Sequence, residues 1–267
     1  MESLLAVHEG AIRLSVFATL LVGFALLEIA TPRSSLSQSK AHRWTTNLLL
    51  SGANTLTLRL LFPILAVGVA HQASNSGWGL FNLIDAPWAI AFLASLLFLD
   101  AAIYAQHIAF HKIPVFWRLH RAHHADRDFD VTTAVRFHPI EIALSMVIKI
   151  VLVLILGPPP EAVIAFEIIL NGTSLFNHSN IAMNEKVERW LRFLVVTPDM
   201  HRIHHSVEPS ETNSNFGFNL SIWDRCFGTY VNDAACGKTG IDIGLPQYRD
   251  NAPSRFFWTL ALPFARN

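Results

Sequence analysis

The chain has 267 residues, of which 52% are hydrophobic and only 15% charged, and its 20 basic and 20 acidic side chains leave no formal net charge. With a positive mean hydropathy, this is too apolar for an ordinary soluble domain and speaks against nucleic acid as a partner; it fits a multi-span membrane protein. Cys226 and Cys236 form neither a disulfide framework nor a C-x-x-C metal site.

The opening MESLLAVHEG carries acids and no Lys or Arg, so no cleavable signal peptide is expected there. Ala11–Ala30 follows as the cleanest apolar stretch, close to the ~20 residues a helix needs to cross the hydrocarbon. Asn47–Ala70 predicts a second span, in which Asn54 and Arg59 are expected to face other helices rather than lipid. Pro87–Gln106 predicts a third, with Asp100 near its end. Ile140–Leu156 and Glu161–Phe176 then read as a helical hairpin around GPPP at 157–160, because three prolines after a glycine stop a helix. Lys149, Glu161 and Glu167 interrupt that hairpin, so a re-entrant or interfacial pair is the alternative. The closing RFFWTLALPFARN reads equally as an amphipathic segment on the bilayer or as a packed end.

Loop charges orient these spans. Residues 31–46 carry Arg33, Lys40 and Arg43, residues 71–86 carry no Lys or Arg, and Lys112, Arg118, Arg121, Arg127 and Arg136 follow the third span. The positive-inside rule then places the N-terminus outside, and residues 106–139 and the tail from 176 on the cytoplasmic side.

The cytoplasmic segments hold a repeated pentapeptide, HRAHH at 120–124 and HRIHH at 201–205. With 13 His in 267 residues, a window spells H-x-x-H-H by chance about once in nine thousand trials. Two copies need a cause. His107 and His111 are i and i+4 and share a helix face, as do His120, His123 and His124, and again His201, His204 and His205. His178 in FNHSN is a plausible ninth member and His138, before Pro139, a tenth. His8, His42 and His71 read instead as polar residues at the membrane surface.

Eight to ten imidazoles exceed the three or so ligands of one catalytic ion and suit two ions with open positions. Imidazole serves Fe, Zn, Cu and Ni alike, so ligand type does not choose the metal. No H-E-x-x-H zinc-protease motif is present, and the Glu-x-x-His pairs of soluble di-iron bundles are missing from the clusters. A pH switch would not need two copies of one helical spacing.

Hung on apolar spans, H-x₃-H with two copies of H-x₂-H-H resembles the fatty acid hydroxylase/sterol desaturase superfamily of integral-membrane di-metal oxygenases. The resemblance runs from about Leu97 to Val231, through LFLDAAIYAQHIAFHKIPVFWRLHRAHH, FNHSN, TPDMHRIHHS and NFGFNLSIWDRCFGTY. It implies that His107, His111, His120, His123, His124, His201, His204 and His205 hold a di-iron centre, with His178 matching the family's additional histidine. O₂ would be the co-substrate, and zinc could replace iron on purification. Carboxylates are expected to orient ligating imidazoles, with Asp126, Asp128, Asp130, Asp199 and Asp224 as candidates. Asp100 stands out for its apolar surroundings. Asn180 and Trp223 match family positions without an evident role.

The expected fold is therefore all-α and membrane-integral. Residues 1–267 form one domain of about four transmembrane helices under a cytoplasmic helical cap that carries a His-rich dimetal site. The expected activity is O₂-dependent hydroxylation of a membrane lipid, fatty acyl or sterol-like substrate, with desaturation or ether cleavage less favoured. No attached cytochrome module is expected, so electrons would come from a separate cytochrome or ferredoxin type of protein. A bacterial inner membrane is the expected location. The rivals from other classes are a membrane protein that stores or senses zinc and a haem-bearing electron carrier.

Overall fold

The computed structural model describes residues 4–237 and 240–265, so the first three residues and the closing Arg266 and Asn267 lie outside the described part. Among the described residues the regular elements are helices, with three isolated β-bridges. Helix α1 (Leu4–Ala30) contains the first predicted span without interruption. The second differs from expectation. Helix α2 (Lys40–Leu61) starts behind Ser39, whose side chain accepts the His42 amide, and stops before an extended Phe62; α3 (Ala66–Ser76) restarts four residues later. Pro63 explains the break, since it has no amide to continue the ladder and pushes the residue before it out of the helical region. Asn54 is buried and donates to the Phe137 carbonyl at 3.1 Å, as expected. Arg59 does not face other helices: it is exposed in the last turn of α2, where a cation meets unpaired carbonyls.

Short α4 (Leu80–Leu83) leads into α5 (Trp88–Lys112), the third span. Ile113 is extended and Pro114 opens α6 (Pro114–His124), so the chain turns back on itself instead of prolonging α5. After a 3₁₀ turn at Val131–Val135 come α7 (Pro139–Leu156) and α8 (Pro160–Asn177), the expected hairpin. At its tip Gly157 adopts φ +62° and meets Gly79, itself at φ +93°, so closely that neither has room for a β-carbon. Two of the three charges that interrupt this hairpin, Lys149 and Glu167, are paired inside it. Lys149 lies 2.7 Å from Glu167, whose other oxygen is 2.6 Å from Arg13 of α1. Paired charges between helices are the arrangement a bilayer tolerates.

The remaining chain forms α9 (Glu185–Leu191), α10 (Pro198–His204), α11 (Pro209–Thr212), α12 (Ile222–Cys226) and α13 (Phe256–Ala261). Together with α6 they cap one end of the bundle. Among the described residues, four stretches are long and apolar enough to cross a membrane: His8–Ala30, Lys40–Leu83, Trp88–Lys112 and Pro139–Leu156. Helix α8 returns from α7 to the cap packed against α1, α5 and α3. The bundle core is built from Ala66, Val67 and Ala70 of α3 against Val153 of α7 and Val163 of α8, small side chains that let backbones approach. The outward surface is apolar, with Leu26, Leu60, Leu93 and Phe98 all exposed. In the C-terminal segment Trp258 and Leu262 sit against Ala122 and Ala125, while Phe257 and Phe264 point outward, an amphipathic arrangement packed on the cap.

Candidate metal centre

Nine histidines converge where the cap meets the bundle. Their ligand atoms form two groups, within each of which every atom lies within 4.8 Å of every other. One group comprises His107, His111, His120, His124 and His204; the other comprises His123, His178, His201 and His205. The groups adjoin, since the rings of His124 and His205 stack at 4.3 Å between centroids.

Helical spacing decides which ring goes where. In α6, His120 and His124 lie one turn apart and enter the first group, while His123, rotated around the helix, enters the second. In α10 and its C-cap the assignment reverses: His201 and His205 enter the second group and His204 the first. Each H-x-x-H-H thus gives two rings to one group and one to the other. Helix α5 adds His107 and His111 to the first group, and the α8 C-cap adds His178 to the second.

Backbone carbonyls orient four of these nine rings. Nδ1 of His107 donates to Phe216 O at 2.8 Å, His123 to Arg136 O at 3.2 Å, His178 to Ser174 O at 2.8 Å and His204 to Ser214 O at 2.7 Å. A carbonyl only accepts, so in the neutral ring each of these Nδ1 atoms carries the proton and each Nε2 presents a lone pair. The Nε2 atoms of His123 and His178 face each other at 3.1 Å. Two lone pairs that close repel unless a cation lies among them. Further ring nitrogens are buried with no hydrogen-bond partner: both of His124 and of His205, Nε2 of His111 and His204, and Nδ1 of His201. Unsatisfied buried nitrogens carry a penalty of about 1–3 kcal/mol each, and coordination of a metal would remove it. The donor set therefore fits two transition ions held almost wholly by imidazole.

The surroundings favour the neutral form of six of the rings. Burial, reinforced for these rings by neighbouring imidazoles, depresses His178 and His204 to about 3 despite the hydrogen bonds to Ser174 and Ser214 that favour protonation. Burial and adjacent rings likewise hold His123, His124, His201 and His205 well below the ordinary imidazole range. Neutral rings are the form that binds metal.

Among the described residues, one carboxylate touches the centre. Glu141, in the first turn of α7, accepts from His120 Nδ1 at 2.6 Å with both groups buried. Sequence reasoning missed it, because its expectation of orienting acids fell on those close in sequence to the histidines; the available signal was a lone acid opening a helix whose one other charge is Lys149. The acids that were expected to orient the rings serve other partners. Asp126 and Asp130 enclose the buried guanidinium of Arg43, with Asp126 at 2.7 and 2.8 Å. Burial would raise the Asp126 carboxyl, but Arg43 holds it below its ordinary value. Asp128 accepts from the amides of Ser37 and Gln38, and Asp199 pairs with Arg33. Asp224 receives the amides of Phe216 and Gly217 and so fixes the carbonyl that orients His107.

Two further candidates are not brought to the centre. His138 caps α7, its Nδ1 accepting from the Ile140 amide and its Nε2 donating to Leu260 O, both at 3.2 Å, which leaves no lone pair for a metal. Asp100 lies outside both groups and accepts from Trp223 Nε1 at 2.7 Å, giving Trp223 its role as an anchor of α12 to α5. Asn180 ties Arg202 to the loop at Ser34. The free cysteines are both exposed and away from the histidines.

The sequence model of the fatty acid hydroxylase family matches residues 92–229, a stretch that includes all nine histidines. Ornithine lipid hydroxylase OlsE of Rhizobium tropici is 30% identical over 205 residues, 77% of this chain and 59% of that protein. Alkylglycerol monooxygenase of Xenopus tropicalis is 31% identical over 157 residues, and that of Homo sapiens 29% over 153 residues, covering 34% and 33% of those proteins and 58% and 57% of this chain. The chain thus spans between a third and three-fifths of the length of these curated relatives. No solved structure matches it.

Proposed function

The chain belongs to the fatty acid hydroxylase family, and on that premise we propose that it is an O₂-dependent di-iron enzyme that hydroxylates a membrane lipid. The observation that carries this reading is the pair of adjoining imidazole groups, with lone pairs of His123 and His178 turned toward each other. Iron bound there supplies the redox chemistry that an unactivated C–H bond requires, which acid–base side chains cannot. The overall reaction takes up O₂, two electrons and two protons, places one oxygen on carbon and releases the other as water.

The residues divide the remaining work. His107, His111, His120, His124 and His204 would hold one ion, and His123, His178, His201 and His205 the other. The carbonyls of Phe216, Arg136, Ser174 and Ser214 fix ring orientation, and Glu141 does the same for His120. Phe216 and Phe218, with ring centroids 5.7 and 5.5 Å from His107, wall the first group with apolar surface and keep water from it.

A lipid is the natural substrate for a site at the mouth of apolar helices, and the names of the relatives point the same way, to ornithine lipid and to alkylglycerol. The basic loops on the cap side support a cytoplasmic location for the centre, where a separate cytochrome or ferredoxin type of protein would deliver electrons. A bacterial inner membrane is the location we propose. The test is comparative lipid profiling of cells expressing the chain or its His123→Ala variant. A lipid heavier by one oxygen is expected with the former alone. Loss of two hydrogens instead would indicate desaturation, and the same product from the variant would remove His123 from the site.

A further inference from the structure

The cap has an apolar edge that the metal centre does not use. Trp190, Phe193, Leu194, Ile222 and Phe227 are 74%, 62%, 66%, 48% and 67% exposed. They form one surface: Trp190 and Phe193 adjoin at 6.2 Å between rings, Arg225 lies over Phe193, and Ser221 donates its amide to Leu194 O at 3.2 Å. This surface is fastened to the side of a span. Trp223 and the Leu220 amide donate to Asp100 of α5, Thr229 is 2.8 Å from the Tyr104 hydroxyl, and the Phe227 ring stacks on Tyr104 at 5.5 Å.

Position along α5 gives its depth. A hydrocarbon layer of ~30 Å takes about 20 helical residues, and counted from Trp88 these reach His107. Asp100 and Tyr104 then lie roughly 10 and 5 Å inside the cap-side boundary at 1.5 Å per residue. We infer that the edge formed by Trp190, Phe193, Leu194, Ile222 and Phe227 is immersed in the cap-side leaflet, as a monotopic skirt around the metal centre. The occupant of this surface is therefore lipid. It continues the apolar outside of α5, where Leu97 and Phe98 are exposed. Its composition is also that of an interfacial segment, with aromatic rings beside the cations Lys186, Arg189 and Arg225. The same stretch of chain runs inward to Phe216 and Phe218 against the imidazoles, so the immersed edge and the wall of the centre are two ends of one segment.

The inference rests on membrane integration and not on the reaction, and its test does not involve turnover. In the full-length chain, both native cysteines would be replaced by Ser and single cysteines introduced as Phe193→Cys, Ile222→Cys and Phe227→Cys, with Glu208→Cys as an exposed control on the cap. Each variant, spin-labelled in phosphatidylglycerol/phosphatidylcholine nanodiscs, would be exposed to oxygen and to a water-soluble nickel chelate. Immersion predicts that oxygen outcompetes the chelate several-fold at the three edge positions, with the reverse order at Glu208→Cys. Chelate access equal to the control at the edge would overturn the inference and leave a water-facing docking surface. Exclusion of both probes, with spin–spin broadening between chains, would overturn it in favour of a second copy.

Discussion

Glu141 and His120 show how much of the proposed metal centre lies in contacts that a motif does not contain. The His120 ring is the one imidazole of the nine seen donating to a carboxylate; its neighbours in the same group are oriented by carbonyls or by packing alone. A carboxylate partner raises the basicity of an imidazole and fixes its tautomer, and losing such a partner elsewhere lowers metal affinity about 10–100-fold. Glu141→Gln should therefore release the ion of the five-histidine group to a chelator first, while the four-histidine group keeps its own. Chelator competition followed by metal quantification reads this out, and parallel loss from both groups would remove the special role of Glu141. The histidines were legible from the sequence because three copies of helical spacing cannot be hidden. Their orienting partners were not, since every residue owns a carbonyl and only the fold reveals that those of Phe216, Arg136, Ser174 and Ser214 are the ones in place.

At the scale of elements, prolines and two buried cations set the geometry. Pro114 turns α6 back along α5, which brings His120 Nε2 to 3.1 Å from that of His107. Pro63 splits the second predicted span, a break whose residues were in plain view and whose consequence was overlooked because the hydropathy runs on through it. Arg43 of α2 joins the bundle to the cap through Asp126 and Asp130, and Arg136 donates to Ala122 O and Asn47. These contacts flank α6 and the segment whose carbonyl holds His123. Removing one partner from a buried ion pair costs about 3–5 kcal/mol, because the other charge stays behind unpaired. Arg43→Ala should accordingly lower the thermal stability of the purified protein strongly and release metal, while the chain still inserts into membranes. An unchanged melting temperature in detergent would show that the pair does not hold the cap in place.

Across the whole molecule, the bundle presents its apolar surface to the bilayer and gathers the histidines at one end. Loops with Lys and Arg, such as residues 31–46, lie at that end, and residues 71–86, without Lys or Arg, lie at the far end, where Gly79 and Gly157 meet tightly. That the first of these ends is cytoplasmic is part of the proposal. If the cap is cytoplasmic, a reporter inserted near Asn75 should report the opposite side of the membrane from one inserted near Glu208; reports from the same side would break the topology. What the sequence could not convey is the sharing of the two pentapeptides between groups, because that depends on α6 and α10 meeting at a particular rotation about their axes. The account as a whole turns on the two groups being ion sites. Its most direct test is metal quantification combined with X-ray absorption at the metal edge, on protein produced with iron and purified without chelator. Two transition ions per chain in a shell of imidazole nitrogen is the predicted result. One ion or none at full folding, or a shell dominated by other donors, would contradict it.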